Sequence, residues 1–591
     1  MAEECKKTDL QNLPTCAAEF IKLVIKKMRY RKKVRLDVQA ELGAHFEDEL
    51  RDCKTNEEKE QKAQRLIEDF GDVNLLGVLL RRAKKRCRPL WRTIVARTFQ
   101  TIGVLILCFI LYCIYISLGK PTIWVNYVEE MTRIARPVAD ESLNAAPIYR
   151  RAIDAYKEPP EIKREVVDPF ASMLGMPGMG DSSKYVPKSR AERKTREPRM
   201  EKVSLLVAIS NKDWIDDLNE DELSALKQWI SNNSEAINFF KQASQRPHCW
   251  WKREAKDNLV LNILLPELSP LRNIAKMMVW QSKLKAHNGH IEEAFDDLLV
   301  CYRAGRHFKG PRLLIEQLVG IAIQALSTRN VLAILTNQEV DSQLLRNLQI
   351  RLEKLMAEDT YTISYEVERF CVLDFIQRCY TNNGRGSGHM IPGRVQEFMH
   401  AAEEAFLPPA FLPSLAVSIA SADRCQVSRK FEKFYSTFEK CATKTPWQLH
   451  KECFDFEMDL DNWSTLKKAR YWPASWLLPA LGGINRAAYR HKTQVEAVIT
   501  TLAVIRFKQS TGNYPENLEE LVVTGYLKKI PLDPFSDKSL VYKKTDGNFI
   551  LYSVGLNFKD DGGQVYRGKE GKKPHLWDNE FGDAVFWPMP R

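Results

Sequence analysis

A carboxylate in an apolar helix is one candidate for chemistry in this 591-residue sequence. Glu316 lies in the segment from Arg312 to Leu335, which is apolar on nearly every face of a helix. A buried carboxylate must be paired or protonated. Arg303, Arg306 and His307 on the preceding helix are available partners. The pattern favours a structural salt bridge for Glu316, and a catalytic acid is the alternative.

The histidines and glycine-rich motifs form no catalytic set. His287, Asn288 and His290 lie at one helix hairpin and His307 lies on the next helix, so a zinc site would require them to converge. The sequence has no GxSxG, HExxH or CxxC motif, and its GRGSG stretch lacks the GK[ST] ending of a phosphate-binding loop. We therefore expect a non-catalytic protein without a bound organic cofactor.

One apolar run determines the predicted membrane topology of the chain. Residues 101–118 read TIGVLILCFILYCIYISL, close to the roughly 20 residues that a helix needs to cross a bilayer. Basic residues precede the run, and positive charge stays on the cytoplasmic side. We predict a transmembrane helix over 98–118 after a basic juxtamembrane segment over 81–97, with a cytoplasmic N-terminus and an extracytoplasmic C-terminus. The basic residues are Arg81, Arg82, Lys84, Lys85, Arg86, Arg88, Arg92 and Arg97.

Two other interpretations of the apolar run are weaker. A signal peptide would not follow about 100 residues of preceding chain. A buried core helix would not explain why the flanking charge is so one-sided. The net charge of +12 is concentrated in the same basic region, so we expect it to face anionic lipid headgroups, with nucleic acid as the less favoured partner.

The thirteen cysteines indicate neither a metal site nor a redox motif. On this topology seven cysteines, an odd number with scattered spacing, lie on the extracytoplasmic side of the membrane. Buried free thiols are the favoured interpretation, and one or two disulfides remain the alternative.

The first 80 residues predict a small cytoplasmic helical domain. Amphipathic stretches recur with helical period and a glycine ends the third of them. The segment from Val38 to Val73 resembles the HAAS or permease-prefix domain that precedes transmembrane segments in bacterial proteins, which implies a regulatory or interaction module. We expect His45 to be a surface histidine and not a metal ligand. The matching residues are Glu41, Leu42, His45, Asp48, Leu50, Ala63, Phe70, Gly71 and Asp72.

Beyond the predicted membrane helix, most of the chain is expected to be helical. Residues 119–157 predict a membrane-proximal helix, and 158–200, rich in Pro, Gly, Met and charge, predict a flexible linker. Residues 201–480 predict an irregular α-helical domain or short solenoid, because only one tetratricopeptide-like helix pair is legible.

Residues 481–591 predict a long helix followed by a small antiparallel β module. SLVYKK and FILYSV predict two strands separated by Asp546 and Gly547. The order of motifs resembles the C-terminal part of the type II secretion major pseudopilin. The segment WPASWLLPALGGI is too short and too interrupted for a pilin start, so we expect a folded end module. The matching residues are Tyr514, Pro515, Leu518, Leu521, Pro531, Asp533, Pro534, Tyr542, Tyr552, Ser553 and Gly555.

The same resemblance implies a calcium-binding loop near the C-terminus. Asn557, Asp560 and Asp561 stand where that family places its final loop, and their oxygens are ligands that calcium accepts. A solvated acidic turn is the alternative, because Asn557 replaces the usual aspartate and the sequence afterwards differs.

Taken together, the sequence predicts a mainly α protein with one transmembrane helix. The layout resembles large single-pass envelope proteins of the planctomycete type, which implies a place in the bacterial cytoplasmic membrane. Our first hypothesis is a non-catalytic interaction or scaffold protein with a protein partner outside the cytoplasm. An accessory component of a type II secretion or pilus-like system is the second, and a membrane-tethered hydrolase using Glu316 or the histidines is the third.

Overall fold

Helices dominate the molecule, as the sequence predicts. The computed structural model describes residues 10–86, 90–166, 199–403, 411–452, 462–473, 481–565, 576–577 and 582–590. The strands within these ranges are few and short. The chain divides into two units, Met1–Ile114 and Tyr115–Arg591, which are described separately below.

The first unit contains four helices packed around an apolar core, and a fifth helix begins in it. A capping box between Thr55 and Glu58 starts the third helix, and Gly71 ends it with a φ of 74°. His45 is exposed and its ring lies 5.6 Å from that of Phe70, so it is the surface histidine we predicted. The helices are α1 (Thr15–Lys27), α2 (Lys32–Glu49), α3 (Asn56–Phe70), α4 (Val73–Arg86) and α5 (Leu90–Ser117).

The predicted boundary between the helical domain and the basic segment lies inside a helix. α4 begins at Val73 and continues to Arg86, so the first residues of the 81–97 segment belong to it. Its apolar side chains Leu76 and Leu80 pack against the core of the unit.

α5 contains the apolar run. Two helices among the described residues are long and apolar enough to span a membrane, Ile94–Ser117 within α5 and Leu314–Asn337. They differ in burial, because 6% of the apolar window is buried in the first and 72% in the second. Leu314–Asn337 is therefore a core helix, and α5 exposes its apolar side chains.

Seventeen further helices lie in the described part of the second unit. They are α6 (Tyr127–Ala135), α7 (Ala146–Asp154), α8 (Leu205–Ala208), α9 (Glu220–Asn232), α10 (Ser234–Ser244), α11 (Leu268–His287), α12 (Ile291–Arg306), α13 (Leu314–Asn337), α14 (Ser342–Ala357), α15 (Glu368–Cys379), α16 (Pro392–Glu403), α17 (Phe411–Ala420), α18 (Arg424–Ala442), α19 (Pro446–Lys451), α20 (Thr465–Arg470), α21 (Leu481–Thr511) and α22 (Leu518–Val523).

The same unit contains the strands. They are β1 (Glu161–Val166), β2 (Arg199–Ser204), β3 (Leu532–Asp533), β4 (Lys538–Ser539), β5 (Val541–Thr545), β6 (Asn548–Ser553) and β7 (Ala584–Trp587).

The chain that leaves α5 is attached to the second unit. The ring of Tyr115 lies 4.8 Å from that of His389, and Pro121 forms an isolated antiparallel bridge with Thr381. The amide of Gln377 donates to the Val125 carbonyl at 2.8 Å. The last residues of α5 and the segment after it therefore belong to the second unit.

The helix pair predicted around Asn288 and Gly289 is α11 and α12, and it is confirmed. Gly289 has a φ of 87°, which turns the chain between the two helices. α12 then crosses α13 at a point where both helices carry glycine. A Cβ on Gly320 would lie 2.5 Å from the Gly305 carbonyl oxygen, and one on Gly305 would lie 2.6 Å from the Gly320 carbonyl oxygen. Only glycine at both positions allows this approach.

The predicted linker over 158–200 begins and ends in β structure. β1 and β2 pair antiparallel, from Glu161 opposite Ser204 to Val166 opposite Arg199. Residues 167–198, with most of the Pro- and Met-rich sequence, lie outside the described residues. Sequence reasoning missed the ladder because both strands are rich in charge and resemble the solvated composition around them.

The predicted boundary at residue 480 does not separate two cores. α21 packs against α13 and α14, and its apolar residues Val498, Leu502 and Phe507 belong to the same cluster as those of α11 and α12. The Gln494 side chain donates to the Ala325 carbonyl at 2.8 Å. The segment WPASWLLPALGGI, which we interpreted as too short for a pilin start, falls mostly on residues 474–480. These residues lie outside the described residues.

The C-terminal sheet contains both predicted strands and one that we did not predict. β5 and β6 form the hairpin across Asp546 and Gly547, and β7 pairs antiparallel with β6. A long intervening segment separates β7 from β6 in sequence, so its pairing depends on tertiary packing.

A second core cluster lies around α15, α16 and α18. The aromatic residues of α18 are all at most 5% exposed, so this helix turns them inward: they are Phe431, Phe434, Tyr435 and Phe438. The thiols of Cys249, Cys301 and Cys379 are free and buried, as the favoured interpretation of the cysteines predicts.

We predict that Gly320→Ala destabilises the second unit. The added methyl would meet the Gly305 carbonyl, and overpacking of this kind costs about 1–3 kcal/mol. Chemical denaturation measures the change. Gly483→Ala in α21 is the matched control, because no atom lies within 4 Å of its Cβ position, and we expect it to be neutral or stabilising. Equal effects of both variants would contradict the close helix approach.

Candidate functional site

Glu316 lies in a closed network of buried charges. Its carboxylate pairs with Arg253 and lies 3.5 Å from Arg312, and Arg253 also pairs with Glu267. All four side chains are less than 10% exposed. The prediction of a structural salt bridge agrees with this arrangement, because two guanidinium groups balance two carboxylates.

The partners of Glu316 differ from those we predicted. Arg303 and Arg306 lie on the preceding helix, and His307 directly follows it. The carboxylate instead turns toward Arg253, which lies 63 residues earlier in the chain. The sequence contains no signal for a contact across that distance. With both carboxylates paired, no free acid is left at this position.

Arg253 also lines a cleft of about 1130 Å³. One wall is α6 and the segment that follows it, from Asn126 to Ala139. The opposite wall is the segment from Trp250 to Asn258. The start of α7 closes one end.

A buried asparagine holds the two walls of this cleft together. The Asn144 amide donates to the Trp250 carbonyl at 3.1 Å and accepts from the Trp250 backbone N–H at 2.9 Å. The Ala145 backbone N–H donates to the His248 carbonyl at 2.8 Å. These bonds replace a regular strand pairing and align residues about 100 positions apart.

Arginine side chains lie over both tryptophans of the cleft. Arg136 lies 5.8 Å from the ring centroid of Trp250, and Arg150 lies 5.3 Å from that of Trp251. The indole rings are buried, whereas Arg150 is exposed. The cleft therefore presents oriented guanidinium groups and hydrogen-bonding backbone to solvent, a composition that suits a protein or peptide partner. Sequence reasoning missed this site because its two walls are distant in the chain.

The predicted calcium loop brings its three residues together and adds a fourth. The Asn557 amide donates to Asp561 at 2.8 Å, and Asp560 accepts from Tyr552 at 2.8 Å. Asp583 accepts from the backbone N–H groups of Asp561 and Gly563. Burial raises the pKa of Asp583, and the nearby charges of Asp560 and Asp561 act in the same direction.

These contacts give the acidic loop a structural role in joining β7 to the end of β6. Within the described residues, no group of three or more His, Cys, Asp or Glu side chains has an arrangement suited to a metal ion. Calcium at Asn557, Asp560 and Asp561 would need backbone carbonyl ligands as well, and it stays a prediction.

Asp533 anchors the same module from the other side. It is fully buried and accepts hydrogen bonds from the Ser553 hydroxyl at 2.8 Å and from the Val554 and Phe535 backbone N–H groups. Burial raises the pKa of this carboxyl, and these bonds oppose the rise. Asp533, one of the residues that carry the pseudopilin resemblance, therefore fixes β3 against the end of β6.

The histidines do not converge on a zinc site. His290 precedes α12 and His307 follows it, and the 16 residues between them span about 24 Å of helix. His307 instead bridges two polar groups, 3.0 Å from the Tyr149 hydroxyl and 2.8 Å from the Arg246 carbonyl. A carbonyl can only accept, so Nε2 of His307 donates to it and Nδ1 accepts from Tyr149.

In comparisons with known proteins, the chain matches no family model, no curated protein and no solved structure.

We predict that His307 makes stability depend on pH below neutrality. Burial lowers the pKa of His307 to about 4, and the charges of Arg312 and Arg306 contribute. The unfolded chain binds this proton near pH 6.5 and the folded chain does not, so the free energy of unfolding falls as the pH drops from 6.5 to 4. The full loss is about 3 kcal/mol.

Urea denaturation between pH 4.5 and 7.5 measures this slope. His307→Gln retains a donor and an acceptor at the site but cannot titrate, so we expect a flatter profile. His290→Gln is the control, because its side chain is 65% exposed. An unchanged slope in His307→Gln would contradict the assignment.

Proposed function

We propose that the chain is a single-pass, membrane-anchored interaction or scaffold protein of the bacterial envelope. The N-terminal unit would lie in the cytoplasm and the larger unit outside it. The observation that carries this proposal is the exposed apolar surface of α5.

The energetics of α5 favour a lipid environment. An 18-residue window within its span Ile94–Ser117 has a mean hydropathy of 2.3, and 24 residues of helix extend about 36 Å, more than the hydrocarbon core requires. Apolar side chains such as Phe99 and Leu105 are more than 60% exposed, which is unfavourable in water. The basic residues before the span suit a cytoplasmic leaflet with anionic headgroups.

The cleft supports a binding role in preference to catalysis. Arg150 lies over Trp251 at its edge, and arginine and tryptophan are the residue types that contribute most to protein interfaces. Glu316 and Glu267, the buried carboxylates beside the cleft, both pair with Arg253, and Arg312 lies 3.5 Å from Glu316. These ion pairs occupy both carboxylates, so the hydrolase hypothesis gains no support from them.

An accessory role in a type II secretion or pilus-like system is the second candidate. The order of a long helix α21, a short helix α22 and the β5–β6 hairpin favours it. The Tyr542 hydroxyl donates to the Pro515 carbonyl at 2.7 Å, which ties together two of the residues that carry the pseudopilin resemblance.

We predict that protease added to intact spheroplasts removes a C-terminal tag and leaves an N-terminal tag protected.

A second experiment tests insertion. Extraction with alkaline carbonate should leave the full chain in the membrane. The double variant Leu107→Arg with Ile110→Arg should be released from the membrane, because each arginine at the centre of a span costs about 2.5–3.5 kcal/mol of insertion free energy. Leu107→Phe with Ile110→Leu is the control. Protection of the C-terminal tag, or extraction of the parent chain, would contradict the proposal.

We predict that a photo-crosslinking residue at position 252 forms a discrete adduct with a protein in the envelope. Lys252 lines the cleft and its side chain is 79% exposed. Arg150→Ala should weaken the adduct several-fold, since it removes the guanidinium over Trp251. The same probe at Val523, which is 86% exposed and lies outside the cleft, is the control. Identical adducts from both positions would contradict a role for the cleft.

A further inference from the structure

A second cavity, of about 570 Å³, has six arginine and lysine residues in its lining and only two acidic residues. It lies where the C-terminal ends of α12 and α14 meet the turn at residues 244–247. Its acidic lining residues are Glu358 and Asp359. Its cationic residues are Arg246, Arg303, Arg306, Lys309, Arg351 and Lys354.

Pairing leaves three of these cations without a carboxylate. Arg306 pairs with Glu358 and Lys309 pairs with Asp359, each at 2.9 Å. Arg351 pairs at 2.6 Å with Asp296, which does not line the cavity.

The remaining three cations are Arg246, Arg303 and Lys354. None of the three has an ion-pair partner within the described part of the chain, although the Arg246 guanidinium donates a hydrogen bond to the Ser142 carbonyl at 2.5 Å. The cavity therefore keeps an excess of positive charge after its own acids are neutralised.

Arg303 is the decisive member of this set. Its Nε is buried and has no hydrogen-bond acceptor among the described residues. Burial lowers the pKa of its guanidinium, and the positive charge of Arg351 lowers it further. The negative charge of Asp296 opposes this shift. A buried donor without a partner costs free energy, and a cation among cations costs more.

Cations near helix C-termini can also simply complement the helix dipole. Arg306 does this, because its guanidinium donates to the Glu358 carbonyl at 3.2 Å just after α14. Arg303 has no such acceptor. The dipole thus accounts for Arg306 and leaves Arg303 unexplained.

We propose that this cavity binds a small soluble oxyanion of the phosphate class with at least two negative charges. The guanidinium of Arg303 contacts it directly, and Arg246 and Lys354 complete the charge balance. Several oxygens on one centre match the fork of an arginine, and the charge of such a group matches the three unpaired cations. The cavity is larger than phosphate itself, so it accommodates a phosphorylated small molecule or a pyrophosphate.

Isothermal titration of the detergent-solubilised full chain with pyrophosphate tests this proposal. We expect saturable binding at low salt that Arg303→Met weakens about tenfold or more, as for loss of a charged hydrogen bond. Lys354→Gln should weaken it several-fold. Arg346→Gln is the matched control, because Arg346 is exposed on the same helix as Lys354 and does not line the cavity.

Thermal stability without ligand gives an independent readout. Arg303→Met removes an unpaired cation and should leave the melting temperature unchanged or raise it, whereas an arginine with a structural role would lower it. Lack of binding by the parent, equal weakening by Arg346→Gln, or a lower melting temperature for Arg303→Met would overturn the proposal.

The choice of anion is tested in the same way. Citrate bound as tightly as pyrophosphate would overturn the phosphate class. Binding to vesicles of anionic lipid that depends on Arg303, without binding of soluble pyrophosphate, would overturn a soluble ligand.

Discussion

The close crossing of α12 and α13 is the contact that brings the basic cavity near the buried charge network. Gly305 and Gly320 allow the backbones to approach so closely that a methyl group would not fit between them. Arg303 and His307 flank Gly305 in the sequence and line the basic cavity, and Glu316 lies one turn before Gly320 on α13. One backbone approach therefore fixes the distance between two residues of the cavity and one carboxylate of the network.

The two groups of charges illustrate different uses of burial. Around Glu316, each carboxylate has a guanidinium partner, so the cost of desolvation is offset within the fold. Around Arg303 the balance is incomplete, because the nearby acids are already paired with Arg306 and Lys309. A network in which every charge is paired stabilises one conformation. A cluster with unpaired cations can still bind an anion.

The end of α5 belongs to the larger unit. Tyr115 and Pro121 contact His389 and Thr381, so the residues that follow the apolar run are part of that folded unit. The segment that leaves the apolar run thus packs on residues about 250 positions later in the chain.

Local patterns in the sequence determined the elements. The uncharged run over 101–118, the hairpin around Gly289, the aromatic helix α18 and the β5–β6 hairpin all follow from periodicity, charge and turn residues, which act within a few positions. The partners of those elements came only from the tertiary structure. The contact of Glu316 with Arg253, the Asn144 bridge across the cleft, the β1–β2 ladder and the third strand β7 join residues tens to over a hundred positions apart. The proximity of Arg303 to Arg351 also depends on tertiary packing. Such contacts depend on how closely helices pack, and the spacing of residue types along one chain does not encode that distance.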